Sequence, residues 1–88
     1  MKYRYNSITL YREVNDKVRY YSFKIYATLF NTYMLEKSYG SIKNKRATGI
    51  LREFYDTYED ALKALNTQKL IRIKRGYTFN TYNLKEYA

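Results

Sequence analysis

The sequence predicts an α+β domain: an antiparallel sheet of four to five strands with one C-terminal helix packed on one face. Three observations carry this. Apolar and polar residues alternate in successive runs between residues 8 and 55, the period of a half-buried strand. A helix start follows the last run, with Thr57 as the cap and Glu59 and Asp60 in the first turn. No proline, low-complexity tract or internal repeat divides the 88 residues, so residues 1–88 read as one domain.

The elements follow in order. Residues 1–6 alternate cation and tyrosine (Lys2, Tyr3, Arg4, Tyr5), which suits a first strand or a loose arm. Residues 8–14 place Ile8, Leu10 and Val14 on one face and Thr9, Tyr11 and Glu13 on the other. Asn15-Asp16-Lys17 is a turn, since Asn and Asp tolerate positive φ. Residues 18–30 form the strongest strand. Tyr21, Phe23, Ile25, Ala27 and Leu29 make its core face; Tyr20, Ser22, Lys24, Tyr26, Thr28 and Phe30 make the other. Together these two strands read as a hairpin. After a break at Asn31-Thr32, residues 33–39 form a strand with Tyr33, Leu35, Lys37 and Tyr39 in phase. Residues 43–46 turn the chain, and residues 47–55 return it; Gly49 marks a bulge or a close approach.

The helix is expected from Thr57 to about Lys74 or Arg75, with Gly76 beyond its C-terminus. Its second half is ambiguous. Lys69 and Arg72 fall on the stripe that Ala61 and Leu65 make apolar, with Leu70, Ile71 and Ile73 beside it. Three arrangements suit this: a helix bent or buried on a second side, cations snorkelling past the sheet, or a helix ending near Asn66 with a strand over residues 70–74. Residues 77–82 suit a short last strand, and residues 83–88 a tail.

Composition narrows the function. The apolar fraction is 45%, but 13 of those residues are tyrosines, so the core is thin and many rings belong at its rim, half-buried. Cysteine and histidine are absent, which removes thiolate chemistry, disulfides and the commonest metal ligand and general base. The eight carboxylates read as turn, cap and surface residues, and no phosphate loop or nucleophile with its base is present. The expectation is a protein with no enzymatic activity, cofactor or metal. No apolar run reaches the ~18 residues of a membrane span, and the basic start lacks a following apolar block, so the cytoplasm, in a bacterial setting, is the expected compartment.

The net charge is +9, from 17 Lys and Arg against 8 Asp and Glu, with a pI near 9.7. Such a balance favours an anionic partner, nucleic acid first and a membrane surface or an acidic protein second. The charge is also segregated: Glu53, Asp56, Glu59 and Asp60 cluster around the helix start, and no acid follows from Ala61 to Lys85. Residues 37–46 hold Lys37, Tyr39, Lys43, Lys45 and Arg46 around Gly40. Cations on a protruding turn reach phosphates with little desolvation, giving sequence-independent, salt-sensitive binding. The bland reading is a solvated turn. Tyr39 can stack on a sugar or base, or be core in phase with Leu35. Lys69 and Arg72, with Lys63, Lys74 and Arg75, form a second basic run, of which helix-end electrostatics account for the last two alone. Tyr20, Tyr26 and Phe30 with Lys24 could offer a stacking face, but the tandem aromatic motif of ribonucleoprotein-type sheets is missing.

The order of elements and several local motifs resemble a WGR domain over roughly residues 8–77. The motifs are Tyr39-Gly40-Ser41-Ile42 ending a strand, Gly49 after the turn, Phe54 closing the return strand, the Thr-x-x-Asp-Ala start at residues 57–61, and Lys74-Arg75-Gly76-Tyr77. That family is named for a Trp-Gly-Arg run and occurs in poly(ADP-ribose) polymerases and small bacterial proteins. Here Tyr39 replaces the Trp, Ser41 the Arg, and Lys43 a glycine usual in the turn. The resemblance implies a non-catalytic DNA-binding domain in which Tyr39 packs on sugar-phosphate. It implies nothing for Ser41, since the family's Arg helps connect neighbouring polymerase domains.

The expected site is therefore Lys37, Tyr39, Lys43, Lys45 and Arg46, supported by Lys69 and Arg72. The expected partner is nucleic acid, DNA more than RNA, with an acidic protein as the alternative. The chain is expected to be a monomer or a weak homodimer, paired through an edge strand or the 1–5 arm.

Overall fold

The computed structural model describes residues 3–79, with β1 side chains from Asn6 onward. Four strands, β1 (Tyr3–Val14), β2 (Lys17–Ala27), β3 (Tyr33–Ser41) and β4 (Gly49–Tyr55), form an antiparallel meander in the order β1-β2-β3-β4. One helix, α1 (Tyr58–Lys74), lies across one face. This is the α+β arrangement the alternation predicts. Residues 1–2 and 80–88 lie outside the described part, with them half of the 77–82 segment, the 83–88 tail and Lys85.

The β1–β2 turn is as tight as a hairpin allows: Val14 pairs with Lys17, and Asn15 and Asp16 take φ of 52° and 65°. Two successive positive φ values match the strands' right-handed twist. β1 begins earlier than residue 8, and its register shifts between Arg4 and Asn6.

β2 ends before its expected limit. Leu29 and Phe30, assigned to its two faces by alternation, lie instead in the turn to β3, with Phe30 85% exposed. Thr28 is the cause. Its N–H donates to the Thr32 carbonyl (2.9 Å), its hydroxyl bonds that of Thr32 (2.7 Å) and accepts from the Phe30 N–H (3.1 Å). Asn31 closes the turn with φ of 61°. A side chain that satisfies the turn backbone outcompetes another turn of ladder.

Cross-strand partners share a face, so register assigns the rows. The helix face carries Leu10–Tyr21–Tyr39–Gly49, Ile8–Phe23–Lys37–Leu51 and Ile25–Leu35–Glu53. Leu10, Tyr21, Phe23, Ile25 and Leu35 meet Ala61 and Leu65 in the core, and half-buried Tyr33, Tyr39, Tyr55, Tyr58 and Tyr77 ring it. The rim of tyrosines is thus present as composition predicts.

α1 settles the ambiguity of residues 66–75. It runs unbroken to Lys74, so no strand forms over residues 70–74. Thr57 caps it, its hydroxyl accepting from the Asp60 N–H at 3.1 Å. At the other end Gly76 takes φ of 96°, the Tyr77 N–H reaches the Arg72 carbonyl and the Gly76 N–H that of Ile73, both at 3.0 Å. These are the two bonds of a Schellman motif, which needs a residue at ease with positive φ. Thr78 then makes a two-bond antiparallel bridge to Tyr11, 2.8 Å each way, the pairing that the described residues of the 77–82 segment show.

β4 is joined to β3 by one ion pair on each face. Arg52 Nε meets Glu36 Oε2 at 3.0 Å on the open face, and Lys37 Nζ meets Glu53 Oε2 at 3.2 Å on the helix face. Glu53 also accepts from the Tyr55 hydroxyl at 2.9 Å. That bond, then the one from Lys37, holds the Glu53 carboxyl below the usual glutamate range; burial, then Glu53, pushes the Tyr55 phenol up. A depressed carboxyl contributes stability above its unfolded pKa and loses it as pH falls through the folded value. Thermal stability is therefore expected to fall below about pH 4. Glu53→Gln is expected to flatten that acid limb and to cost on the order of 1 kcal/mol at neutral pH, since Lys37 stays buried without its counter-ion. An unchanged acid limb in the variant would count against this pair.

Candidate nucleic-acid interface

The strands alternate in direction, so the β1–β2 turn and the loop of residues 42–48 lie at one end of the sheet. α1 starts after β4 at the other end and climbs back, bringing its C-terminus and Tyr77-Thr78 to the same end as those turns, against Tyr11 and Arg12. This end is a basic pole. It gathers Lys43, Lys45 and Arg46 from the loop, Lys74 and Arg75 from the helix terminus, and Arg12 and Arg19 from β1 and β2, all exposed. Glu13 and Asp16 lie at this end as well, outnumbered by the cations, and Glu53, Asp56, Glu59 and Asp60 belong to the opposite end.

The centre beneath the pole is Tyr21. Its ring stacks on Phe23 (centroids 5.1 Å, planes at 27°) and Tyr39 (5.3 Å, 20°), and Tyr77 meets it edge-on at 6.1 Å. The Arg72 guanidinium carbon lies 4.2 Å from the Tyr21 centroid. A cation on a ring face is attracted by the ring quadrupole, by roughly 0.5–2 kcal/mol depending on desolvation. This explains a cation on the core-facing stripe of α1. Arg72 Nε is buried and has no hydrogen-bond partner among the described residues. Gly49 completes the layer. A Cβ there would collide with the Tyr39 ring, so glycine lets that ring lie across the start of β4.

The expected site residues divide three ways. Lys43, Lys45 and Arg46 stand exposed on the loop. Tyr39, Lys69 and Arg72 are half-buried, and Tyr39 belongs to the aromatic layer on the helix face while retaining some exposure. Lys37 is buried and committed to Glu53, so its charge serves the β3–β4 pair rather than a phosphate.

Arg12 and Arg19 lie outside the expected set. They are direct cross-strand partners, in register with Ser41, one row above Tyr21 on the helix face. Like charges placed opposite each other destabilise a sheet. The pair lies beside the helix C-terminus, where the Arg12 side chain passes close to Gly76, and the negative end of the macrodipole offsets part of the repulsion. The sequence signal is faint: only the two-residue turn fixes the register that places residue 12 opposite residue 19.

Across the described residues no helix is long and apolar enough to cross a membrane, and no group of three acids could hold a metal ion. The open face carries a shallow polar depression lined by Thr9, Tyr11, Tyr20, Ser22 and Lys24. Tyr20 and Tyr26 are half-buried there, and Phe30 stands apart in its turn.

Comparison of the chain with protein-family models, with curated proteins and with solved structures finds no match.

The aromatic layer yields a packing prediction. Gly49→Ala is expected to displace the Tyr39 ring and lower stability by about 1–3 kcal/mol, the range for overpacking, as read by denaturant unfolding. Gly49→Ala in a Tyr39→Ala background is expected to cost far less. Equal costs in both backgrounds would refute the contact.

Proposed function

We propose that this WGR-like domain is a non-catalytic module that binds nucleic acid, DNA in preference to RNA, through its phosphate backbone, with the basic pole as the contact surface. The observation that carries the reading is the segregation of charge. Exposed cations from the loop, the helix terminus and the β1–β2 hairpin converge on one end, where they outnumber Glu13 and Asp16, while four acids belong to the other. Such a charge distribution orients a polyanion before contact, and the low desolvation cost at exposed cations suits phosphate neutralisation. Tyr39 and Tyr77 are half-buried and engaged with the Tyr21 ring. Backbone contacts therefore dominate this reading and base stacking is secondary. The departures of Tyr39 and Ser41 from the Trp-Gly-Arg run fit a pole whose cations do the binding.

The test is fluorescence anisotropy against a short DNA duplex over a salt series. Arg12→Ala/Arg19→Ala is expected to weaken binding at least tenfold at low salt. It is also expected to lower the slope of log affinity against log salt by about 2, one unit for each phosphate left unneutralised. Lys24→Ala/Lys63→Ala removes the same charge away from the pole and is expected to cost no more than about twofold. Equal losses in the two variants would reduce the binding to net charge alone. Absence of binding at low salt, with capture of an acidic protein instead, would replace nucleic acid by a protein partner.

A further inference from the structure

The sheet has two edges, and they are treated differently. Along β1, Thr78 exchanges two backbone hydrogen bonds with Tyr11. Along β4, no described residue pairs with the outer edge. β4 is also barely covered on either face, with Ile50 49%, Leu51 53% and Phe54 64% exposed. On the open face Leu29, Phe30, Met34 and Phe54 line an apolar groove beside it. On the helix face Tyr55, Lys63, Ala64 and Thr67 line a second cleft. Edge strands that stay unpaired are usually short, charged, bulged or covered. β4 is short, but its charged residues Arg52 and Glu53 are already held by Glu36 and Lys37. It presents a hydrophobic template for another strand.

We infer that β4 pairs antiparallel with β4 of a second copy of this chain, joining two sheets into one of eight strands. Charge complementarity selects this occupant. β4 runs from the basic loop of residues 42–48 to the acidic start of α1. In an antiparallel pair the two strands run oppositely, so each basic loop meets the other copy's Asp56, Glu59 and Asp60. A parallel pairing would set like charges together at both ends. A two-fold axis perpendicular to the sheet keeps both helices on one side and makes the contact self-complementary. With that axis at Leu51, the two Leu51 side chains face each other. Arg46 of each copy then comes opposite Asp56 of the other, since residues 46 and 56 are equidistant from residue 51. This arrangement points the two basic poles in opposite directions, so a dimer would bridge two polyanion segments rather than grip one.

The inference shares Arg46 with the nucleic-acid reading but does not rest on it, and its test uses the protein alone. Sedimentation velocity of the full chain from micromolar to millimolar concentration is expected to show a monomer–dimer equilibrium. Leu51→Lys, an exposed position where folding is checked by circular dichroism, is expected to abolish the dimer. Arg46→Glu and Asp56→Arg are each expected to weaken it about tenfold or more, and the double reversal to recover most of the loss, the mark of a direct pair. A chain that stays monomeric throughout overturns the inference. So does a dimer that is indifferent to Leu51→Lys, or a double reversal no better than its parents.

Discussion

The Tyr21 ring is the contact on which the remaining structure depends. It sits in β2, a central strand, and touches a neighbour from almost every direction. Phe23 and Tyr39 stack beside it, Tyr77 meets it edge-on and Arg72 lies on its face. The consequence runs outward from the ring. Arg72 fixes the last turns of α1 to the sheet. The Schellman turn at Gly76 then reverses the chain, and Tyr77 and Thr78 reach back to the ring and to Tyr11. Lys74, Arg75 and Arg12 are positioned by that closure. A protein with so few buried aliphatics gains its order from rings whose hydroxyls can stay at the rim, and the exposed charges above them inherit a rigid base.

The β4 edge is built by a different rule. β4 adds no buried apolar side chain to the core. It is secured by backbone pairing to β3 and by two ion pairs, one to each face. In the Lys37–Glu53 pair the Lys37 side chain is buried and the carboxylate half-exposed. Breaking such a pair by removing the carboxylate costs more than an exposed pair would, because the buried cation remains. A strand held by its polar groups leaves its apolar ones turned outward, which is why Ile50, Leu51 and Phe54 stay available at an edge.

What the sequence discloses is whatever local chemistry determines. Alternation marks β1 to β4, Asn15-Asp16 marks the hairpin, and Thr57 and Gly76 bracket the helix, because each signal acts within a few residues. The failures have tertiary causes. Leu29 continues the period of β2, but Thr28 and Asn31 satisfy a turn instead. Lys37 keeps its place on the core face and is drawn in by Glu53, a partner on another strand, so its reading as a phosphate contact gives way. Arg72 looks misplaced on an apolar stripe until Tyr21 is seen beneath it. Arg12 and Arg19 acquire meaning only from register, which joins two ordinary cations into a pair beside a helix terminus. Of the candidate site, the loop cations are therefore legible in the sequence, and the arginine pair and the ring that organises the pole are not.

The central claim is that one end of this domain, rather than its charge as a whole, meets the phosphate backbone. The most direct measurement is a backbone amide NMR titration with a short duplex near physiological salt. Perturbations are expected to cluster at residues 11–13, 19–21, 39–48 and 72–78, leaving β4 beyond Gly49 and the first turns of α1 unmoved. Shifts scattered over both sheet faces, or centred on Thr9, Ser22 and Lys24 of the open face, would contradict the account.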